Sequence, residues 1–125
     1  MREILRKHTI SFRNAGFGLI WAIRTQPNFR VHLVLSALAV LLGLFFNIKP
    51  IEWAIIIFTI VLGLSAELIN TALESMTDLI TKEWREEAKI AKDVSAGMML
   101  TVAMGAAVVA LLIFWPYITV FLFSK

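Results

Sequence analysis

The sequence predicts an all-α membrane protein, with an N-terminal amphipathic surface helix followed by three transmembrane helices. Hydrophobic residues make up 59% of the 125 residues and charged residues only 17%, and the mean hydropathy is +0.81. A soluble domain of this size has too little interior to bury so much apolar surface, so lipid is the expected solvent. In addition, three apolar stretches are each long enough to cross a bilayer.

Composition also excludes several classes of function. The chain has no cysteine, which rules out disulfides, thiolate metal sites and a cysteine nucleophile. Its 12 Lys and Arg against 9 Asp and Glu give a formal net charge of +3. No basic run with interleaved aromatic residues accompanies this charge, so we expect no nucleic acid among the partners.

The surface helix is predicted over residues 2–25. Basic residues such as Arg13 are interspersed there with apolar ones such as Trp21, which is typical of a helix that lies in the membrane interface. The Gly16–Gly18 segment is a point where this helix can break.

The three transmembrane helices are predicted at about 29–47, 51–77 and 94–123, within a single domain that covers residues 1–125. The first is based on residues 31–48, 18 consecutive residues without Asp, Glu, Lys or Arg, which is close to the minimum for a spanning helix. The last uncharged run is longer than one bilayer, so we expect Pro116 to kink that helix or to mark its outer end.

Basic residues predict the topology. Six Lys and Arg precede the first membrane helix and four lie between the second and the third, whereas only Lys49 and Lys125 lie elsewhere. By the positive-inside rule, the N-terminus and the 78–93 loop are expected in the cytoplasm. His8 and His32 are isolated in the sequence, and we expect them at the membrane interface rather than as ligands. Trp53 lies where an interfacial aromatic residue is expected.

Small residues recur at four-residue spacing on the third membrane helix. They are Gly97, Thr101 and Gly105, together with the pairs Ala103/Ala107 and Ala106/Ala110. Small residues at this spacing let helices approach closely in lipid. The pattern indicates helix packing and an oligomer, and it carries no information about chemistry.

A stripe of polar side chains on the second membrane helix is the most informative feature. It consists of Glu67, Asn70, Thr71, Glu74 and Asp78. At about 100° per residue, four of them fall within about 60° of one another, with Asn70 beside them. A carboxylate at membrane depth costs a few kcal/mol, so the stripe predicts a compensating divalent cation, a Lys or Arg, or shared protons. Glu74 and Asp78 could instead lie among the lipid headgroups, which is the favoured explanation for Asp78 when the stripe is taken alone, but Glu67 lies about three turns deeper than Asp78.

Lys92 and Asp93 form a second constellation, at the predicted start of the third membrane helix. A solvated helix start with Asp93 near the N-cap explains them without any function. Alternatively, Lys92 contacts phosphates, and Asp93 helps to hold a nucleotide or its metal ion.

Three segments resemble the small bacterial integral-membrane diacylglycerol kinase and undecaprenol kinase family. They are the stripe from Glu67 to Asp78, the run from Ala91 to Gly97, and the stretch from Arg24 to His32. The resemblance covers essentially the whole chain, and a long pattern with several fixed polar positions is specific. It implies a homotrimer in the bacterial plasma membrane, with its active site on the cytoplasmic side. It also implies Mg²⁺-dependent transfer of the γ-phosphoryl group of ATP to a membrane lipid alcohol, either undecaprenol or diacylglycerol.

The resemblance further implies roles for individual residues. Glu67 is expected to be the general base on the lipid hydroxyl, with Asn70 beside it, while Glu74 and Gln26 hold Mg²⁺. The expected nucleotide-binding residues are Lys92, Asp93, Glu83, Trp84 and Arg85, and the expected lipid-binding residues are Glu67, Asn28, Phe29 and Arg30. Asp78 has a supporting role. This division fits phosphoryl transfer, in which positioning and charge neutralisation do most of the work.

One position departs from the family pattern. Where Gln26 stands, the family usually carries a Glu that shares the metal ion with the carboxylate matching Glu74. A glutamine carbonyl is still a ligand for a hard cation, but it removes one negative charge from the site. We therefore expect weaker Mg²⁺ binding or a shifted metal position, with Glu83 as an alternative source of the missing charge.

Two other functions are compatible with the residues alone. In a small oligomeric ion or proton pathway, Glu67 and Glu74 line a polar seam. In a catalytically inactive interaction subunit, the stripe only joins helices, and Glu67→Gln is tolerated. The pathway leaves Lys92 and Asp93 unexplained, and we favour the kinase. Within the kinase interpretation, the short 25–29 link and the compact N-terminal helix favour undecaprenol over diacylglycerol.

Overall fold

The structure, a computed structural model, describes the backbone of residues 2–123 and the side chains of residues 10–123. Its four helices are α1 (Arg2–Thr25), α2 (Pro27–Phe46), α3 (Pro50–Ile80) and α4 (Glu86–Phe123). Residues 2–123 contain no β-strand. The all-α fold is therefore confirmed, and α2, α3 and α4 are each long and apolar enough to span a membrane.

The last two helices are longer than the membrane segments that hydropathy predicts. α4 begins at Glu86 rather than near residue 94, and α3 ends at Ile80 rather than near residue 77. Their 31 and 38 residues span about 46 and 57 Å, against a hydrocarbon thickness of about 30 Å. Charged residues are compatible with a helix, so hydropathy predicts only the membrane-embedded part of each helix and not its full length. The two helices thus extend beyond the bilayer toward the 81–85 link, which we call the basic end.

Two interruptions that the sequence allows do not occur in these helices. α1 continues through Gly16 and Gly18, and α4 continues through Pro116 to Phe123. An interior Gly costs about 1 kcal/mol and an interior Pro about 3 kcal/mol relative to Ala, and long helices often accommodate such residues by bending. The short link expected at residues 25–29 is reduced to Gln26, whose extended backbone separates α1 from α2.

A tight turn joins α2 to α3 and is built around a close approach. Asn47 adopts a left-handed conformation with φ 50°, and the Ile48 N–H donates to the Gly43 carbonyl at 3.2 Å. A Cβ added at Gly43 would lie 2.8 Å from Cη2 of Trp53. Trp53 is therefore packed against the turn as well as being placed near the end of its helix.

The apolar core lies between this turn and the second half of α4. Its buried residues are Ile48, Ile56, Ile113 and Phe114. At the edge of the core, the Tyr117 hydroxyl donates to Glu52 Oε2 at 2.6 Å, and the Lys49 backbone N–H donates to the same oxygen at 2.7 Å. This carboxylate links α4 to the start of α3 at the end of the bundle that is opposite the basic end.

The small residues of α4 do not all serve one interface. Gly97, Thr101 and Gly105 are exposed, and a Cβ at either glycine would meet nothing within 4 Å. Their close-approach surface is therefore not used by the described helices of this protomer. The alanines of the two predicted pairs instead line a cavity between α2, α3 and α4; they are Ala103, Ala106, Ala107 and Ala110.

Candidate active site

A cluster of buried polar side chains lies where α3 and α4 pack together near the basic end. Within residues 10–123, the buried polar or charged side chains are Glu67, Asn70 and Thr71 of α3 and Ser95 of α4. The α3 members belong to the stripe predicted from helical spacing. Glu67 is only 2% exposed and Ser95 is equally buried, so the core of the stripe faces α4 and is shielded from lipid.

A chain of hydrogen bonds connects this cluster to the exposed part of the stripe. Ser95 Oγ donates to Asn70 Oδ1 at 2.5 Å. Asn70 Nδ2 in turn donates to Glu74 Oε1 at 3.3 Å, and the rest of the Glu74 side chain is exposed. The buried amide thereby fixes one oxygen of a carboxylate whose other oxygen is free to bind a ligand.

Glu67 lacks a full set of partners. Its Oε2 atom is buried without a hydrogen bond, and within residues 10–123 no Lys or Arg forms an ion pair with Glu67 or Glu74. Each carboxylate adds to the negative potential at the other. An ionised carboxylate buried in this way is unfavourable unless a donor or a cation compensates it. The cluster therefore combines a hydrogen-bond acceptor for an incoming hydroxyl, Glu67 Oε2, with a neighbouring carboxylate, Glu74, that is suited to bind a cation.

His32 also belongs to this region, which sequence reasoning missed. It is half-buried, and it interacts electrostatically with Glu67 across the α2–α3 contact. The sequence predicted only that His32 lies at the membrane interface. It gives no signal for an interaction with Glu67, because the two residues are far apart along the chain.

The predicted nucleotide-binding residues lie at the basic end, outside the buried cluster. Their ion pairs are Lys92–Asp78 at 2.6 Å, Lys89–Asp93 at 2.5 Å and Arg85–Glu83 at 3.2 Å. Trp84 is 78% exposed in the link between α3 and α4. A cavity of about 480 Å³ lies beside this link, and Arg85 is its basic lining residue. The structure thus places the predicted nucleotide-binding residues at the same end of the bundle, but they do not form a single cluster.

The two predicted metal ligands, Gln26 and Glu74, have different hydrogen-bond partners. Gln26 Nε2 donates to Thr25 Oγ1 at 3.4 Å, and no hydrogen bond joins Gln26 to Glu74 among the described side chains. Within that same part of the chain, no group of three or more His, Asp or Glu residues could hold a metal ion. Mg²⁺, however, is usually held by one or two carboxylates together with substrate phosphates. The donor set therefore fits an ion that arrives with a nucleotide.

An apolar cavity of about 310 Å³ runs between α2, α3 and α4. At the end nearer the cluster it is lined by His32, Gly63 and Leu64, so it ends about one helical turn from Glu67. Of the predicted lipid-binding residues on α2, Asn28 and Arg30 are exposed, whereas Phe29 is 3% exposed and packs inside the protomer.

A family model and several individual relatives of this chain point to the same protein family. The family model described as prokaryotic diacylglycerol kinase matches residues 13–114. The chain is 37% identical over 115 residues to an undecaprenol kinase of Bacillus subtilis, covering 92% of this chain and 94% of that protein. It is 39% identical over 101 residues to a diacylglycerol kinase of Synechocystis, covering 80% and 58%. A diacylglycerol kinase of Escherichia coli is 26% identical over 100 residues, covering 80% and 82%.

These relationships decide between the functions left open by the residues. The ion pathway and the inactive subunit are not favoured, because the family and its named relatives are kinases of membrane lipids. The unpaired carboxylates and the adjoining basic end are the chemical features that such a reaction uses. The chain belongs to the prokaryotic diacylglycerol kinase family and is an integral-membrane lipid kinase that uses ATP.

Proposed function

We propose that this kinase phosphorylates undecaprenol, with Glu67 as the general base. The observation that carries the assignment of the base is the buried Oε2 atom of Glu67, which has no hydrogen-bond partner. The similarity to the Bacillus subtilis undecaprenol kinase, which extends over 94% of that protein, supports the choice of substrate. Diacylglycerol is the second candidate, since the Synechocystis relative is a diacylglycerol kinase.

In the proposed reaction, the lipid hydroxyl donates its proton to Glu67 Oε2. The hydroxyl oxygen forms a bond to the γ-phosphorus of ATP while the bond to the bridging oxygen breaks, and ADP leaves. General-base catalysis contributes typically about 10²–10⁴-fold to a rate. Because Glu67 is shielded from water, the group that approaches Oε2 must come from the protein interior or from lipid.

The apolar cavity supplies such an approach. It ends beside His32, Gly63 and Leu64, close to Glu67, and its apolar walls suit the isoprenoid segment next to the hydroxyl. We propose that the rest of the chain lies in the bilayer. Glu67, Asn28 and Arg30 are the lipid-contacting residues, and the buried Phe29 supports them through packing.

Glu74 is the proposed ligand for Mg²⁺, with Gln26 as a second, neutral donor. The ion supplies neutralisation of the phosphate charges when it is bound. Asn70 holds Glu74 Oε1 through its amide, which leaves the other carboxylate oxygen for the ion. Lys92, Arg85 and Asp93 are assigned to the phosphates and their ion, and Trp84 and Glu83 to the remainder of the nucleotide.

Orientation and assembly follow from charge and exposed surface. Six Lys and Arg precede the first membrane span and four lie around the 81–85 link, out of twelve in the sequence, so we propose that the N-terminus and the basic end face the cytoplasm, where ATP is available. We propose a homotrimer in the bacterial plasma membrane. The exposed Gly97, Thr101 and Gly105 on α4 support an interface with another protomer, because small residues permit close helix contact in lipid.

The test is ATP-dependent phosphorylation by the purified protein in mixed micelles with Mg²⁺, with undecaprenol and diacylglycerol offered separately. The proposal predicts faster turnover with undecaprenol. A preference for diacylglycerol would overturn the substrate assignment and leave the lipid-kinase activity standing. Chemical cross-linking of the same micelles should stop at trimers, and a limiting dimer would exclude the proposed assembly.

A further inference from the structure

Ser95 differs in its hydrogen bond from most serine and threonine hydroxyls of the described helices. Several of those hydroxyls donate to the carbonyl one turn earlier in their own helix, as serine and threonine commonly do. They are those of Thr25, Ser36, Thr59, Thr77 and Thr101. Ser95 instead donates to Asn70 on the neighbouring helix, and both residues are buried.

The Ser95 hydroxyl anchors the Asn70 amide in the orientation that places its nitrogen beside Glu74. An asparagine side chain has an acceptor oxygen and a donor nitrogen, and the two are exchanged by a flip. With Oδ1 bonded to Ser95, Nδ2 faces Glu74 Oε1 at 3.3 Å. A flip would set the amide oxygen against the Glu74 oxygen, and because a carboxylate only accepts hydrogen bonds, it favours the orientation seen here. The Ser95 hydroxyl donates to the Oδ1 atom that faces α4 in this orientation and thereby holds the amide in place.

We propose that Ser95 is a positioning residue of the active site, which fixes the Asn70 amide so that it holds the Glu74 carboxylate in place for the divalent cation. This inference rests on the proposed role of Glu74. Its geometric basis is the continuous chain from Ser95 Oγ through Asn70 to Glu74 Oε1. Ser95 is only 2% exposed and its hydroxyl bonds Asn70, so we infer that it acts through Asn70 and not by contact with the nucleotide.

Groups that orient a metal ligand typically change metal affinity or activity by about 10–100-fold when they are removed. Ser95→Ala should therefore raise the Mg²⁺ concentration for half-maximal activity by about tenfold or more. The KM for the lipid should stay unchanged, because the alcohol binds on the side of Glu67. Thr119→Val is the matched control, since it removes a hydroxyl of α4 that bonds within its own helix.

Two readouts are independent of turnover. In ¹⁵N-labelled protein, the side-chain amide of Asn70 is one of only four asparagine signals, and Ser95→Ala should shift it and speed its hydrogen exchange. Binding of Mn²⁺ in the presence of ATP, followed by electron paramagnetic resonance, should weaken in the same variant. Ser95→Thr, which keeps the hydroxyl, should restore both properties.

A double-mutant cycle separates positioning from general packing. If Ser95 acts through Asn70, Ser95→Ala should add no further loss of Mn²⁺ affinity in an Asn70→Ala background. Ser95→Cys, which preserves side-chain volume with a weaker donor, replaces Ser95→Ala if the alanine variant does not fold. Unchanged Mn²⁺ affinity and an unchanged Asn70 signal in either variant would overturn the assignment. If the wild type phosphorylates no lipid, the proposed function is wrong, and Mn²⁺ binding alone decides the role of Ser95.

Discussion

Lys92 Nζ lies 2.6 Å from Asp78 Oδ1, and this ion pair joins the first part of α4 to the last turns of α3. Both side chains are partly exposed, at 41% and 61%, so the pair contributes little to stability, about 1 kcal/mol or less. Its main consequence is positional, because it holds an ammonium group beside the proposed phosphate site. The supporting role expected for Asp78 is thus to position Lys92.

We predict that Lys92→Met raises the KM for ATP about tenfold, which corresponds to about 1.4 kcal/mol of lost binding. Asp78→Asn should raise it about threefold, since Lys92 loses its anchor. Steady-state kinetics at saturating lipid measures both effects, with the exposed Lys82→Met as control. Additive effects in the double variant would show that the ion pair does not position Lys92.

Gln26→Glu should strengthen Mg²⁺ dependence. The change adds a negative charge at the position of the proposed second metal donor, and a hard cation gains from an added carboxylate. We expect the Mg²⁺ concentration for half-maximal activity to fall by about fivefold, equivalent to about 1 kcal/mol. Asn14→Asp makes the same type of change at an exposed position of α1. If activity and metal affinity in Gln26→Glu are unchanged or lower, the account of this position is wrong.

Tyr117→Phe should lower the thermal midpoint in detergent while leaving kinase turnover intact at low temperature. The variant removes only the hydroxyl that donates to Glu52 at 2.6 Å, far from the catalytic cluster. Thr59→Val is the control, because the Thr59 hydroxyl bonds only the Ile55 carbonyl of its own helix. Equal thermal midpoints for Tyr117→Phe and the wild type would mean that this contact does not hold α4 to the start of α3.

Gly43→Ala should destabilise the protein by about 1–3 kcal/mol, the usual range for overpacking a close contact. The new Cβ would meet Cη2 and Cζ2 of Trp53 at 2.8 and 2.9 Å. Trp53→Phe removes those two atoms, so the double variant should be more stable than the sum of the two single changes predicts. Thermal inactivation in a fixed detergent measures all four proteins. A neutral Gly43→Ala variant would contradict the close approach.

Much of the candidate site follows from helical geometry alone. The positions of Glu67, Asn70 and Thr71 on one face are fixed by about 100° per residue, and the structure buries all three together. Burial could be anticipated as well, because a carboxylate at membrane depth must face protein or a cavity.

The remaining features depend on tertiary packing and leave no local signal. Ser95 contacts Asn70 because α4, which starts at Glu86, packs against α3 at the level of these two residues. Hydropathy does not reveal this start, since the first turns of α4 are charged. The approach of His32 to Glu67 likewise depends on how α2 packs on α3. Such pairings are set by helix contacts, which one sequence does not specify.

The most direct test of the central claim is the single-turnover rate of Glu67→Gln with ATP, Mg²⁺ and undecaprenol in mixed micelles. Glu86→Gln, a carboxylate on the exposed first turn of α4, is the matched control. The account predicts that Glu67→Gln folds and oligomerises normally but loses about 10²–10⁴-fold in rate, while Glu86→Gln stays near the wild type. A rate for Glu67→Gln close to that of the wild type would contradict the assignment of Glu67 as the general base.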